Sequence, residues 1–205
     1  MKKTRLELCV LIAAAMCIAL KMLSFGSECD SVRAKVLRLH VIANSDALCD
    51  QSVKLAVRDR LLECSEDIFV GCTDLDDALS AAESMLPELE EAAADELRRN
   101  GCGYGVKVCL CRDRFPTRVY SSDESGSGTY TLPAGVYNAL RVELGEARGH
   151  NWWCVMFPML CVPSSGGCGA EDVLSPDEMN VVSCDGYDVR FACVEWYEKL
   201  RGRIK

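Results

Sequence analysis

An uninterrupted apolar run from Leu8 to Leu20, placed directly after Lys2, Lys3 and Arg5, constrains this chain more than any other feature. Such a run must be buried in a core or leave water for a membrane. Basic residues before it and the small-residue stretch Ser24-Phe25-Gly26-Ser27 after it follow the layout of an export signal. As a helix the run spans about 20 Å, short of the roughly 30 Å hydrocarbon core of a bilayer. The reading is a signal peptide, or an uncleaved signal anchor, over residues 1–26, followed by residues 27–205. A remainder of that length has room for one ordinary core, so a single domain is expected.

Fourteen cysteines in 205 residues is a density suited to an oxidising compartment, in agreement with export. A cut after Gly26 removes four positive residues and one negative, taking the net charge from −8 to −11. It also leaves twelve cysteines, an even number that could close six bridges. An acidic chain repels phosphate polymers, which argues against nucleic-acid binding.

Residues 34–43, AKVLRLHVIA, alternate Leu37, Leu39 and Val41 with Arg38 and His40, the pattern of a strand with one buried face. Asn44-Ser45-Asp46 are N-cap residue types. Cys49, Val53, Ala56, Val57, Leu61 and Cys64 then recur at helical spacing, which predicts a helix over about 46–63 with Asp50 and Lys54 placed to pair and Arg58 and Arg60 toward its C-terminal end. The Ala/Leu/Glu-rich stretch from Thr73 to Asn100 contains Pro87, which predicts two helices or one kinked helix, with Asp74 as a cap and Gly101 as the stop. Strands are expected from Val106, over Phe115 to Tyr120, and over Tyr137 to Leu144. Ser121–Thr129 reads as a loop, Ser175 as a helix start, and Asp188–Arg201 as a helix with a strand through Phe191 as its competitor. The fold class is α+β: a single exported domain with a mainly antiparallel sheet packed by helices.

The densest group of unusual residues is Gly149-His150-Asn151-Trp152-Trp153-Cys154-Val155-Met156-Phe157-Pro158, with Cys161 close behind. Three readings of it stand side by side. Cys154 could be a thiol nucleophile with His150 or His40 as base, making the protein an extracytoplasmic cysteine hydrolase. Cys154 could instead bridge to Cys161 or another cysteine, with the aromatics in the core. The tryptophans could anchor a partner. No C-x-x-C, G-x-S-x-G, H-E-x-x-H, P-loop or dinucleotide fingerprint occurs. The residues therefore point to no catalytic set, no metal site and no cofactor.

Two segments carry a resemblance: Leu37-Arg-Leu-His-Val-Ile-Ala-Asn44-Ser45-Asp46 with Asp50-Gln51-x-x-Lys54-Leu55-x-Val57-Arg58-Asp59, and Gly149-His150-Asn151-Trp152-Trp153-Cys154-Val155-Met156-Phe157-Pro158-x-Leu160-Cys161. They resemble the stage II sporulation protein R family, and residues 27–205 would then form one domain of that kind. The resemblance implies a protein made in the forespore of an endospore-forming bacterium and exported into the space between the forespore and mother-cell membranes. It also implies a signal rather than an enzyme, whose partner is the membrane-embedded protease that processes the sigma-E precursor, with membrane contact only through the leader or that partner. Asn44, Ser45, Asp46, His150, Asn151, Trp152 and Trp153 are the candidate partner-binding residues, and Cys154 and Cys161 a candidate disulfide.

Overall fold

The computed structural model describes residues 2–121, 129–158, 169–183 and 189–203. It opens with a long helix, α1 (Lys2–Arg33), which passes through Gly26 without a break. Residues 7–21 are exposed, whereas Phe25, Cys29, Val32 and Arg33 are buried in the domain. The expected boundary after Gly26 thus falls inside a continuous helix whose packed part begins at Phe25.

β1 (Leu37–Ile42) follows, then α2 (Leu48–Ile68), α3 (Leu75–Ser84), α4 (Leu86–Arg99), β2 (Val106–Phe115), β3 (Arg118–Ser121), β4 (Thr129–Leu132), β5 (Gly135–Leu144) and β6 (Asn151–Phe157). Three helices complete the chain: α5 (Ala170–Val173), α6 (Pro176–Val182) and α7 (Val189–Arg203). The main sheet has the order β2-β5-β1-β6, and β3 and β4 form a separate pair. The outer ladders β2/β5 and β1/β6 are antiparallel, but the central pair β1/β5 is parallel. The sheet is therefore mixed rather than simply antiparallel. A parallel return needs a crossover longer than a turn, and here the chain between β1 and β5 includes the whole α2–α4 layer.

Placement at the centre also changes β1. All six of its residues are buried, so the polar face expected for Arg38 and His40 is covered as well. One face, with Leu37, Leu39, Val41, Val142, Cys154 and Met156, packs under α2, α3 and α4. From α2 it receives Val53, Val57 and Leu61, four residues apart and hence on one helical stripe, and, eight positions further on and just past the helix end, Phe69. Cys49, expected on that stripe, is exposed. The helix runs on to Ile68, which leaves Arg58 and Arg60 in its middle rather than near its end. The opposite face carries Phe115, Tyr137, Ala139 and Val155 beneath Val32, Leu132, Ala170 and Val182.

Pro87 does divide the Ala-rich stretch. It lies in the first turn of α4, where its missing N–H costs nothing, and Asp74 caps α3 by accepting from the Asp77 N–H at 2.9 Å. Phe115 ends β2, and the return to it is β5; Arg118–Ser121 pairs with β4 instead. Ser175 caps α6 in a reciprocal box with Glu178, and the last segment is helix, not strand. Most of the expected loop 121–129 and the glycine-rich 164–169 lie outside the described residues.

Candidate functional site

The two motifs meet. Asn44, Ser45 and Asp46 leave β1 at the end of the sheet where β5 turns through Gly145–Gly149 into β6, and side chains from both segments close a single hydrogen-bonded knot. Asn44 Oδ1 accepts from the Glu146 N–H at 2.9 Å, and the Asn44 carbonyl accepts from the Arg148 N–H at 3.1 Å. Asp46 Oδ1 accepts from the His150 N–H at 2.7 Å and also contacts His150 Nδ1. These two residues are 104 positions apart in sequence.

The segments come this close because two glycines stand where side chains would collide. Gly145 has φ +56°, and a Cβ there would run into the Asn44 amide. A Cβ on Gly149 would overlap the Ser45 carbonyl group and approach the Ala43 Cβ at 2.9 Å. Since the side chains of the turn serve these contacts, they do not cap the helix as expected. The N-cap of α2 is Ala47, with no side-chain hydrogen bond.

The first turns of α2 complete the knot from inside. Asp50, buried, accepts from Ser45 Oγ at 2.6 Å, Asn44 Nδ2 at 2.8 Å and the Tyr104 hydroxyl at 2.8 Å. Donation by Ser45, then Asn44, then Tyr104 holds its carboxyl below the usual carboxylate range. Lys54 is also buried, and rather than pairing with Asp50 it donates to the His150 carbonyl at 3.0 Å and Gln51 Oε1 at 2.6 Å. Burial lowers the pKa of its ammonium, an effect that Asp46 opposes. Gln51 Nε2 donates to the Ser45 carbonyl at 2.9 Å. On the outer rim Asp46 and His150 are exposed, and Leu48, at the head of α2, is 88% exposed.

Asn151 and the tryptophans follow in β6 and alternate between sheet faces. Trp152 lies opposite Val41 on the α2 side, with the Arg58 guanidinium 4.4 Å from its ring centre. Trp153 lies opposite His40 on the other face, stacked on that imidazole at 5.9 Å, with Arg118 4.4 Å from its ring centre. Both rings are half-buried, and both indole N–H groups are buried without a partner among the described residues. His40 itself sits between Asp113 Oδ2 at 2.6 Å and Asn151 Oδ1 at 2.9 Å. Burial would raise the Asp113 carboxyl, but His40, the Arg114 N–H and Arg141 outweigh it and the net direction is down.

The thiol-nucleophile arrangement is not assembled. Cys154 is disulfide-bonded and buried, opposite Leu39 on the face away from His40. His150 is four residues up the strand, about 13 Å at strand rise. Cys161, the expected partner of Cys154, lies outside the described residues. Cys29, Cys49, Cys64, Cys102, Cys109, Cys111 and Cys193 are all outside disulfides, which overturns the six-bridge expectation. Among the described residues no three His, Cys, Asp or Glu side chains gather to hold a metal ion.

The residues that sequence reasoning missed are those supporting the knot. Asp50, Gln51 and Lys54 stand inside the first motif, but the spacing suggests only a helix pair for Asp50 and Lys54 and no role for Gln51. Tyr104 and Asp113 had no signal at all, because strand register alone brings them in.

The protein is an α+β domain whose two distinctive segments converge on one polar, partly exposed rim. This chain belongs to the stage II sporulation protein R family. That family's profile matches residues 33–166, which include both motifs. Stage II sporulation protein R of Bacillus subtilis (strain 168) is 30% identical over 189 residues, 81% of each chain. No solved structure matches the chain.

Proposed function

We propose that this protein is an exported signal of endospore formation, made in the forespore and acting from the space between the two membranes on the membrane-embedded protease of the mother cell that processes the sigma-E precursor. It acts by binding, with no catalytic residues of its own. Membership of the family supports the sporulation role, and the apolar N-terminal helix is in keeping with export. The observation that carries the reading is the knot itself, a buried network that fixes two distant segments and leaves Asp46, Leu48 and His150 outward. A ligand without chemistry can switch a protease if it binds the active or assembled state more tightly than the resting one. A preorganised rim suits that task, because little entropy is lost on docking.

Co-production of the sigma-E precursor and its protease in a non-sporulating host, with and without this chain, tests the proposal. Precursor cleavage is expected only in its presence, and Leu48→Asp together with His150→Ala is expected to reduce it at least about tenfold, the loss of one central anchor. Cleavage that is equal without the chain, while the protein is exported and folded, would remove the signalling role. Cleavage unaffected by the double substitution would move the contact elsewhere.

A further inference from the structure

The exposed half of α1 is an apolar cylinder with nothing against it among the described residues. Leu8, Val10, Leu11, Ile12, Ile18 and Leu23 are each between 52% and 71% exposed. Lys21 interrupts the apolar composition but not the helix, and counted from Leu8 to Ser24, just short of the buried Phe25, the helical length is about 25 Å, a little under the roughly 30 Å of bilayer hydrocarbon. Lys21 lies close enough to one end to extend its ammonium toward the headgroups.

The other half of the helix is structural. Phe25 is 3% exposed, meets Phe191 edge-on at 5.4 Å between ring centres, and shares a cluster with Cys29, Val181 and Val194. Arg190 lies 4.7 Å from the Phe25 ring centre, and Arg33 reaches Glu198 at 4.0 Å. α7 therefore runs alongside α1 in the same direction, from Phe25 to Arg33. A cut after Gly26 would take Phe25 out of this core and leave Phe191 and Arg190 without the ring they pack against.

We propose that residues 1–26 are not removed, and that α1 stays in the lipid bilayer as a tether whose C-terminal turns are part of the folded domain. The basic Lys2, Lys3 and Arg5 keep the N-terminus on the cytoplasmic side and put the domain outside. On the signalling reading above, which this inference deepens, the signal cannot diffuse away; it acts only on a protease in a membrane directly facing the one that holds it.

The test uses the full chain produced alone in a bacterial host, so it is independent of any protease activation. Intact mass and alkaline carbonate extraction are measured together. An unprocessed chain that remains in the carbonate-washed membranes is expected. Phe25→Ala, which loosens the junction, is expected to raise the fraction cut near Gly26 severalfold. A product beginning at Ser27 in the soluble fraction for the unsubstituted chain would overturn the tether. So would an uncut chain that carbonate releases, since that helix would then be covered by protein and not by lipid.

Discussion

At the scale of single residues, the knot depends on side chains that are absent as much as on those present. Gly149→Ala would force the Ser45 carbonyl and the β5–β6 turn apart, at about 1–3 kcal/mol, the usual cost of overpacking. Thermal denaturation should show it, and a melting temperature within a degree of the parent would mean that the two segments are not held that tightly. Charge enters through Asp50 and Glu178. Burial would raise Glu178, but Lys35, Ser31 and the Ser175 N–H hold its pKa at about 2. Both carboxyls thus titrate lower when folded than when unfolded. Their stabilisation is fully present above about pH 4.5, the ordinary carboxylate range, and is lost as pH falls through the folded values. Denaturant unfolding between pH 7 and pH 3 should show a decline that is shallower for Asp50→Asn and for Glu178→Gln; an unchanged slope in both would assign acid sensitivity elsewhere.

At the scale of elements, β6 carries one tryptophan to each side of the sheet, so each packs against its own set of neighbours. Trp152→Ala removes a ring from the α2 side, and Trp153→Ala removes the slab between His40 and Arg118. Each is expected to cost about 2–4 kcal/mol, somewhat below a fully buried aromatic because both rings are half-buried. Because they lie on opposite faces with separate neighbours, the double substitution should be additive within about 0.5 kcal/mol. Strong coupling in a double-mutant cycle would show that the rings communicate through the strand. β1 was legible as a strand from its alternation, but its burial on both sides was not. Periodicity reports which residues share a face and is silent about whether a second layer covers that face, and here α1, α6 and the β3–β4 pair supply it.

At the scale of the whole molecule, α1 joins the apolar leader to the core without a linker. Phe25→Ala in the full chain is expected to lower stability by about 3 kcal/mol, by cavity formation and lost ring contact, and to lower the melting temperature by roughly 6–10 °C for a chain of this size. A shift below about 2 °C would mean that the leader and the domain are independent. Cysteine density, which suggested a heavily bridged domain, misled because thiols such as Cys29 are buried among apolar side chains and behave there as small hydrophobes.

The sequence by itself determined the α+β class, the elements around Asp74, Pro87 and Ser175, and the two motifs that mark the family, since each follows from local periodicity, capping chemistry or residue identity. Tertiary structure alone decided that those motifs touch, that β1 pairs in parallel with β5, and that Asp50, Lys54 and Tyr104 support the turn from within. Contacts between residues a hundred positions apart are set by strand order and register, and those depend on which faces the whole chain can bury at once.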